Sequence, residues 1–335
     1  MQSVLNFCGL ATLLFFLTLS LAGKNQRKDK PLEEQDERPT GRSSLRVSVE
    51  QIRVDVSVRT KKGHLVQGLK KGNFKIYEEK IEQKIENFSA TEAPMTAVLV
   101  TEYSNAIPWN WLYQAAIASS VFVQNMRKGD WVAAVIYDLN PQILVDFTQN
   151  KMEIYNAFRR LHYPGFSESN MYDTIHDVLD RVEELEGKVA IILITSGIDT
   201  LSRKNLDTTL KKVKNSNVVI FPISLGGYTR ARYEHRMSDI TRLTLLQADA
   251  ALKAFAKYTG GEAFFPRFVQ GYGEIFRTIS LLLRNQYSLS YISTNKKKNG
   301  KFRKIKVRVK ADPDGDGKPD KLKIRHRAGY QAAKS

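Results

Sequence analysis

Two apolar segments of the sequence each end in a short cluster of carboxylate and hydroxyl side chains. Segment 97–100 runs into Glu102 and Ser104, and segment 189–194 runs into Ser196. If both segments are parallel strands of an open α/β sheet, their carboxyl ends form the edge where such sheets bind ligands. Carboxylate and hydroxyl oxygens are ligands that suit a hard divalent cation such as Mg²⁺. The two clusters are therefore candidate parts of one metal site.

A second candidate metal site is a loop rich in aspartate near the C-terminal end. Positions 1, 3, 5 and 9 of an EF-hand-like loop are occupied by Asp312, Asp314, Asp316 and Asp320. Alternate carboxylates of such loops converge on one Ca²⁺ ion, and a glycine at position 6 permits the sharp turn. Position 12 is Lys323 instead of glutamate, so the loop resembles the Asp-rich Ca²⁺ loops without helices of extracellular repeat modules. The alternative is a hairpin turn built from Asp, Gly and Pro.

The spacing of the apolar residues along the chain predicts two kinds of structure. Residues 45–92 alternate β-branched and polar side chains, which predicts antiparallel strands. Over residues 93–285, short apolar strands alternate with amphipathic helices, which predicts an α/β fold with a mostly parallel sheet and helices on both faces. Residues 286–335 return to strands and contain the Asp-rich loop 312–320. Because each β block is too short to bury much alone, we predict that both blocks form one antiparallel unit flanking the α/β region.

The N-terminal residues predict export from the cytoplasm. An apolar run over residues 7–21 precedes the small residues around Ala22, so we interpret residues 1–22 as a signal peptide. An uncleaved anchor is the alternative, since no Lys or Arg precedes the run. Polar residues 23–44 predict a disordered linker. The protein is expected to be secreted, periplasmic or on the cell surface, with no transmembrane segment after signal removal. Cys8 is the only cysteine, so the mature chain would lack disulfides and thiolate sites.

The formal net charge of +17 favours an anionic partner. An acidic polysaccharide, a lipid headgroup surface and nucleic acid all carry suitable charge, and the sequence shows no nucleic-acid-binding motif. The densest basic run, 296–310, alternates with a period of two at its end. Its simplest interpretation is a strand with a solvated basic face.

Several short motifs resemble, in this order and spacing, the von Willebrand factor A domain. They are the segments 54–58 (VDVSV), 73–78 (NFKIYE), 170–175 (NMYDTI), 197–200 (GIDT), 258–261 (YTGG), 284–287 (RNQY) and 327–330 (RAGY). With its flanks, the chain is similar to the secreted bacterial "VWFA-related" proteins of acidobacterial type. The resemblance implies a Rossmann-like domain whose strand ends carry a metal-ion-dependent adhesion site.

In that family the site combines an Asp-x-Ser-x-Ser motif with a Thr and an Asp from two further loops, and this sequence departs from it. Glu102 stands at the first Asp, Ser104 matches, and Ala106 replaces the second Ser. Ser169 replaces the Thr, and Ser196 replaces the last Asp. The resemblance therefore implies a degenerate site, and we do not expect constitutive Mg²⁺ binding there.

Local structural roles are the alternative explanation for these side chains. Ser169 would then cap the following helix. Ser104 and Ser196 would satisfy backbone groups in tight loops, and Glu102 would pair with a basic neighbour.

The leading functional hypothesis is a secreted, non-enzymatic protein-binding or adhesion module with a von Willebrand factor A fold. The sequence contains no phosphate-binding loop and no nucleophile elbow, and its histidines are scattered. One alternative is a basic protein that binds an anionic polymer or the cell envelope, with the fold as scaffold. A second is a hydrolase whose nucleophile and base meet only in three dimensions.

Overall fold

The computed structural model describes residues 51–90, 94–268 and 270–334, which belong to a single unit. The predicted signal peptide 1–22, the linker 23–44 and the first residues of the N-terminal β segment lie outside the described residues. The strands are β1 (Gln51–Arg59), β2 (Phe74–Glu78), β3 (Ile81–Gln83), β4 (Ile85–Ser89), β5 (Met95–Glu102), β6 (Trp131–Tyr137), β7 (Pro141–Thr148), β8 (Lys188–Thr195), β9 (Val219–Ser224), β10 (Gln286–Ile292), β11 (Phe302–Val309), β12 (Lys323–Arg325) and β13 (Gly329–Gln331). The α-helices are α1 (Trp109–Gln124), α2 (Lys151–Arg159), α3 (Met171–Val182), α4 (Leu206–Asn215), α5 (Gly226–Tyr233), α6 (Asp239–Thr259) and α7 (Gly271–Arg284).

A five-stranded sheet in the order β7-β6-β5-β8-β9 forms the centre of the α/β region. The strands β5, β6, β8 and β9 run parallel, and β7 joins β6 in the antiparallel direction. Phe264 extends the sheet with a single parallel bridge to Ile223. This is the third-second-first-fourth-fifth strand order of doubly wound folds, in which the order reverses between the first and fourth strands. The predicted fold class is confirmed.

Helices bury both faces of this sheet. Ala115 and Ala116 of α1 pack on one face together with Phe276 of α7. Ile175 of α3 and Phe255 of α6 pack on the other face. All eight residues of β8 are buried, as expected for a central strand that is covered on both sides.

The two flanking β segments combine into two four-stranded antiparallel sheets, ordered β12-β1-β10-β4 and β13-β11-β2-β3. Strand β1 pairs with β10 over seven residue pairs, from Gln51↔Ile292 to Ser57↔Gln286. A separate core that includes Val56, Ile76 and Leu289 fills the space between the sheets. The antiparallel unit therefore draws strands from both sides of the α/β region, as predicted.

Some elements differ from the sequence-based prediction. Helix α2 was not predicted; it is only nine residues long, and its buried residues are Ile154 and Phe158. Helix α6 begins at Asp239, and Ser238 caps its first turn. Within the described ranges, no helix combines the length and hydrophobicity needed to cross a bilayer.

Candidate functional site

The carboxyl group of Glu102, the last residue of β5, lies at the centre of the strand-end cluster. Its side chain is buried, with 1% of the residue exposed. Oε1 accepts a hydrogen bond from the Ser104 hydroxyl at 2.9 Å. Oε2 accepts from the Thr195 hydroxyl at 2.9 Å, and from the Ser196 backbone N–H and hydroxyl at 2.7 Å and 2.9 Å. The structure thus brings Glu102, Ser104 and Ser196 together at the point where the strand order reverses.

Uncharged hydrogen-bond donors, and no cation of the described residues, surround this carboxyl group. Within the described part of the chain, Glu102 forms no ion pair, so the alternative that it pairs with a basic neighbour is wrong. Burial raises the pKa of Glu102, while the donors of Ser196, Thr195 and Ser104 lower it, and the net shift is upward. The site therefore favours the protonated carboxyl more strongly than water does.

Thr195 and Tyr137, which the sequence-based prediction did not include among the site residues, extend the cluster. The Thr195 hydroxyl accepts hydrogen bonds from the Tyr137 phenol at 2.8 Å and from the Gly197 N–H at 2.9 Å. Burial raises the pKa of Tyr137 well above its usual value, and the nearby Glu102 carboxylate adds to the shift. Tyr137 lies opposite Glu102 in the parallel register of β5 and β6. Only a prediction of the strand register would therefore have placed Tyr137 in the site.

Ser169 also reaches this edge, but its role differs from both expectations. Its hydroxyl is buried without a hydrogen bond of ordinary geometry among the described residues, and it lies beside the Tyr137 phenol. The backbone of Ser169 is held by Thr200, whose hydroxyl accepts its N–H at 2.8 Å. Asn170, and not Ser169, occupies the N-cap position of α3, and the Asn170 side chain itself forms no capping hydrogen bond.

The oxygen atoms at the strand ends do not form a suitable set of ligands for a divalent cation. It offers one carboxylate, whose two oxygens already accept hydrogen bonds from the hydroxyls that would otherwise be metal ligands. Ala106 contributes no oxygen. The nearby Asp199 uses its Oδ1 to accept the Tyr172 N–H at 2.9 Å and the Ser202 hydroxyl at 2.6 Å. We therefore derive no chemistry through a metal at this edge.

The Asp-rich loop brings three of its four predicted carboxylates together. Oxygens of Asp312, Asp314 and Asp320 lie within 4.8 Å of one another. Asp316 is outside this group, and its Oδ1 accepts the Lys318 N–H at 2.8 Å. Asp312 accepts backbone N–H groups of Gly315 at 2.9 Å and Gly317 at 2.7 Å, as in a turn closed by its own side chain. Ca²⁺ binding at Asp312, Asp314 and Asp320 stays a prediction.

An aromatic cluster borders the strand-end site. The Trp109 ring lies 6.2 Å from Tyr103, 5.8 Å from Tyr113 and 5.0 Å from Tyr163, measured between ring centroids. Tyr163 is 74% exposed, and Phe166 in the same loop is 52% exposed. The backbone N–H of Asn105 donates to the Phe166 carbonyl at 2.6 Å, which ties this loop to the one that carries Ser104. We call Tyr103, Trp109, Tyr113, Tyr163 and Phe166 the aromatic rim.

No family model and no curated protein matches the sequence. Among solved structures, the chain is similar to proximal thread matrix protein 1 from the mussel byssus, in a form with zinc in its MIDAS motif. The identity is 15%, with 63% of this chain and 50% of that chain covered and a TM-score of 0.45. An aerotolerance-related membrane protein from Bacteroides fragilis is 15% identical over 57% of this chain and 98% of that one, with a TM-score of 0.44. The vWF domain of a type V pilus tip protein from Porphyromonas gingivalis is 14% identical over 57% and 97%, with a TM-score of 0.42.

The loop positions agree with the resemblance found in the sequence. Glu102 and Ser104 follow the first strand of the sheet, Ser169 precedes α3, and Ser196 follows the fourth strand. All of them meet at the edge where the strand order reverses. The α/β region therefore has the strand order and the loop placement that the resemblance to the von Willebrand factor A domain implies, and we call it the A domain. In this A domain, the hydroxyls of Ser104 and Ser196 donate hydrogen bonds to the buried Glu102 carboxyl group.

Proposed function

We propose that this protein is a non-enzymatic binding module that acts outside the cytoplasm and recognises a protein partner at the carboxyl edge of its A domain. The observation that carries the proposal is that the Glu102 cluster is buried and internally hydrogen-bonded, while the aromatic rim beside it is exposed to solvent. Recognition would then use side-chain contacts around the edge and would need no metal ion.

The aromatic rim has the character of a protein-binding surface. Tyr163 and Phe166 expose large apolar groups to solvent, and the Tyr163 ring packs against Trp109, which in turn contacts Tyr103. Tyr and Trp are enriched among the residues that dominate binding energy, because they bury a large area at small cost in conformational entropy. Exposed apolar groups that cluster at one edge of a monomer commonly mark such contacts.

The arrangement of polar groups supports a role without catalysis. The Glu102 carboxyl is out of reach of a substrate, since only 1% of the residue is exposed. The Ser104 and Ser196 hydroxyls donate to this carboxyl, and among the described residues no histidine side chain is hydrogen-bonded to either of them. A serine nucleophile needs a base within hydrogen-bond reach.

The test is a pull-down with the full-length protein as bait and an envelope extract of the producing cells, run with Mg²⁺ or with EDTA. The bait carries either the native rim or the double substitution Tyr163→Ala/Phe166→Ala. The matched control is Met152→Ala/Leu185→Ala, which removes two exposed apolar side chains at the opposite, amino edge of the sheet.

We expect a protein that is retained equally in both buffers and whose affinity falls about tenfold or more with the rim variant, as for hot-spot residues. The control variant should bind like the native protein. Retention that requires Mg²⁺ would overturn the proposal, and so would equal binding by the rim variant. Turnover of a hydrolase substrate that is abolished by Ser104→Ala would favour the enzymatic alternative.

A further inference from the structure

A large basic groove lies between the A domain and the antiparallel unit, on a part of the molecule that the proposed function does not use. Its volume is about 1260 Å³. One wall is formed by the last turns of α4 and α6, with Lys214, Lys257 and Tyr258. The other wall is formed by β2, by β11 and by the turn after β2. We call this feature the basic groove.

The basic groove is remote from the strand-end site. Helices α4 and α6 follow strand β8 and strand β9, and they run back from the carboxyl edge of the sheet. Lys214 and Lys257 stand in their last turns, so they lie towards the amino edge. Glu102 and the aromatic rim are at the carboxyl edge. Binding at the two places therefore involves different surfaces.

The charged side chains that line the groove are almost all positive. Six cations line it, and they are Lys80, Lys214, Lys257, Lys304, Lys306 and Arg308. None of the six forms an ion pair within the described part of the chain. The one carboxylate of the lining, Glu79, accepts the backbone N–H of Lys304 at 2.6 Å. Such a concentration of unpaired positive charge attracts an anion and focuses its approach.

Strand β11 arranges three of these cations in a row. Lys304, Lys306 and Arg308 are exposed, and they alternate with the buried Ile305 and Val307. Alternate residues of a strand lie on one face about 6.6–6.8 Å apart. The row therefore presents positive charges at a regular spacing along one direction, which matches an extended polymer with a repeating negative charge.

A neutral histidine closes the base of the groove. The His326 Nε2 accepts the Val307 N–H at 3.2 Å, and its Nδ1 lies 2.7 Å from the Arg327 carbonyl, to which it donates. Both contacts together require the neutral ring with its proton on Nδ1. His326 thereby pairs a backbone group of β11 that has no strand partner, and it holds the basic row in place.

The aromatic residues of the groove argue against single-stranded nucleic acid. The Lys214 Nζ lies 4.2 Å from the centroid of the Tyr258 ring, and the Arg308 Cζ lies 5.1 Å from that of Tyr77. The groove therefore covers these ring faces with its own cations, whereas proteins that bind single strands stack bases on open aromatic faces. A concave site also cannot bring all its cations to a flat bilayer.

We propose that the basic groove binds an acidic polysaccharide, with carboxylate or sulfate groups of successive sugars placed along Lys304, Lys306 and Arg308. Lysine suits such a ligand because its ammonium is a flexible point charge that requires no planar partner. Opposite the row, Lys214 and Lys257 hold the polymer from the A-domain side.

The experiment measures binding of polygalacturonate, which carries carboxylates, and of heparin, which also carries sulfates, to the full-length protein by titration calorimetry. The variant is Lys304→Gln/Lys306→Gln/Arg308→Gln, whose side chains are exposed and whose folding is checked by circular dichroism. The matched control, Lys61→Gln/Lys62→Gln/Lys211→Gln, removes the same charge from exposed positions outside the groove.

We expect at least one of the two polymers to bind, with a Kd that rises about tenfold or more in the groove variant, since each exposed ionic contact contributes up to a few-fold. The salt dependence should also weaken, by up to about three in the slope of log Kd against log salt, because each cation contributes about one. The control variant should retain native binding.

Three results would overturn the assignment. One is absence of binding by both polymers, and another is an equal loss of affinity in the control variant, which would indicate net charge alone. The third is tighter binding of oligo(dT) or of anionic lipid vesicles with the same dependence on the groove residues. The Tyr163→Ala/Phe166→Ala variant should bind polysaccharide normally, so failure of the rim proposal and failure of the groove proposal are distinguishable.

Discussion

Glutamine at position 102 should change how the stability of the protein depends on pH. The raised pKa of Glu102 means that the native state keeps a proton which the unfolded chain releases. The stabilising contribution of the protonated carboxyl is therefore complete below about pH 4.3, the ordinary value for glutamate, and is lost as the pH rises through the native pKa. Glutamine mimics the protonated carboxyl in shape and cannot lose a proton, so the Glu102→Gln variant should not show this loss.

The size of the effect follows from the contacts. Each unit by which the native pKa is raised corresponds to about 1.4 kcal/mol, or about 2–4 °C in Tm for a protein of this size. Glu102→Ala tests the hydrogen bonds instead. It leaves the buried hydroxyls of Ser104 and Thr195 without their acceptor, and at about 1–3 kcal/mol each the free energy of unfolding should fall by about 2–6 kcal/mol.

The assay is thermal unfolding by circular dichroism from about pH 4 to pH 8, with each variant compared with the native protein at every pH. Glu184→Gln, an exposed glutamate beyond the end of α3, is the control and should give a constant difference. The reasoning is refuted if the native protein gains stability relative to Glu102→Gln as the pH rises, or if the difference does not change. A rise of the native Tm with Mg²⁺ that Glu102→Gln abolishes would show a metal site instead.

Three further predictions concern other acidic groups. Burial alone would raise the pKa of Asp130, but hydrogen bonds from Arg284 and from the N–H groups of Arg127 and Met95 lower it below its usual range. The Tm advantage of the native protein over Asp130→Asn should therefore shrink as the pH falls below about 4. An advantage that grows on acidification would contradict this. Arg303→Met leaves the buried Glu78 without its cation, so the free energy of unfolding measured in urea should fall by about 3–5 kcal/mol. The exposed Arg308→Met on the same strand is the control and should cost about 0.5 kcal/mol. Equal losses in the two variants would refute a role for the buried pair. Adding Ca²⁺ should raise the Tm of the native protein and leave that of Asp312→Asn/Asp320→Asn unchanged, and no shift in the native protein would reduce the Asp-rich loop to a turn.

The contrast between Glu78 and Glu102 shows two ways in which this protein buries a carboxyl group. Glu78 accepts hydrogen bonds from the Tyr291 hydroxyl at 2.8 Å and the Tyr330 hydroxyl at 3.0 Å, and Arg303 lies 3.2 Å away. Glu102 has hydroxyl and amide donors but no cation among the described residues. The first arrangement places a cation beside the carboxyl group, whereas the second surrounds it with uncharged donors and raises its pKa through burial.

The central sheet was predictable because its strands are continuous apolar runs. Segments 97–100 and 189–194 are buried on both faces, and such runs have few other structures available to them. The meeting of Glu102, Ser104 and Ser196 followed from strand order alone, since neighbouring parallel strands end at one edge.

Other features were beyond the sequence because they depend on contacts between distant residues. The role of Ser169 depends on Thr200 and Tyr137, which hold its backbone and border its side chain. The basic groove combines Lys214 with Lys304 through packing of the A domain against β11, and the sequence shows only the charged run 296–310. Helix α2 is only nine residues long, which is too short for the spacing of apolar residues to separate it from a strand or a loop.

The pairing of β1 with β10 sets the order in which the chain can fold. Gln51 and Ser290 are hydrogen-bonded across 239 positions, so β1 must wait during synthesis for one of the last strands of the described chain. Closing so long a loop is costly in entropy unless the intervening A domain has already condensed and brought its ends together. We therefore expect refolding with a fast phase for the A domain and a slower one for the sandwich of β-strands, with β1 vulnerable to aggregation in the interval.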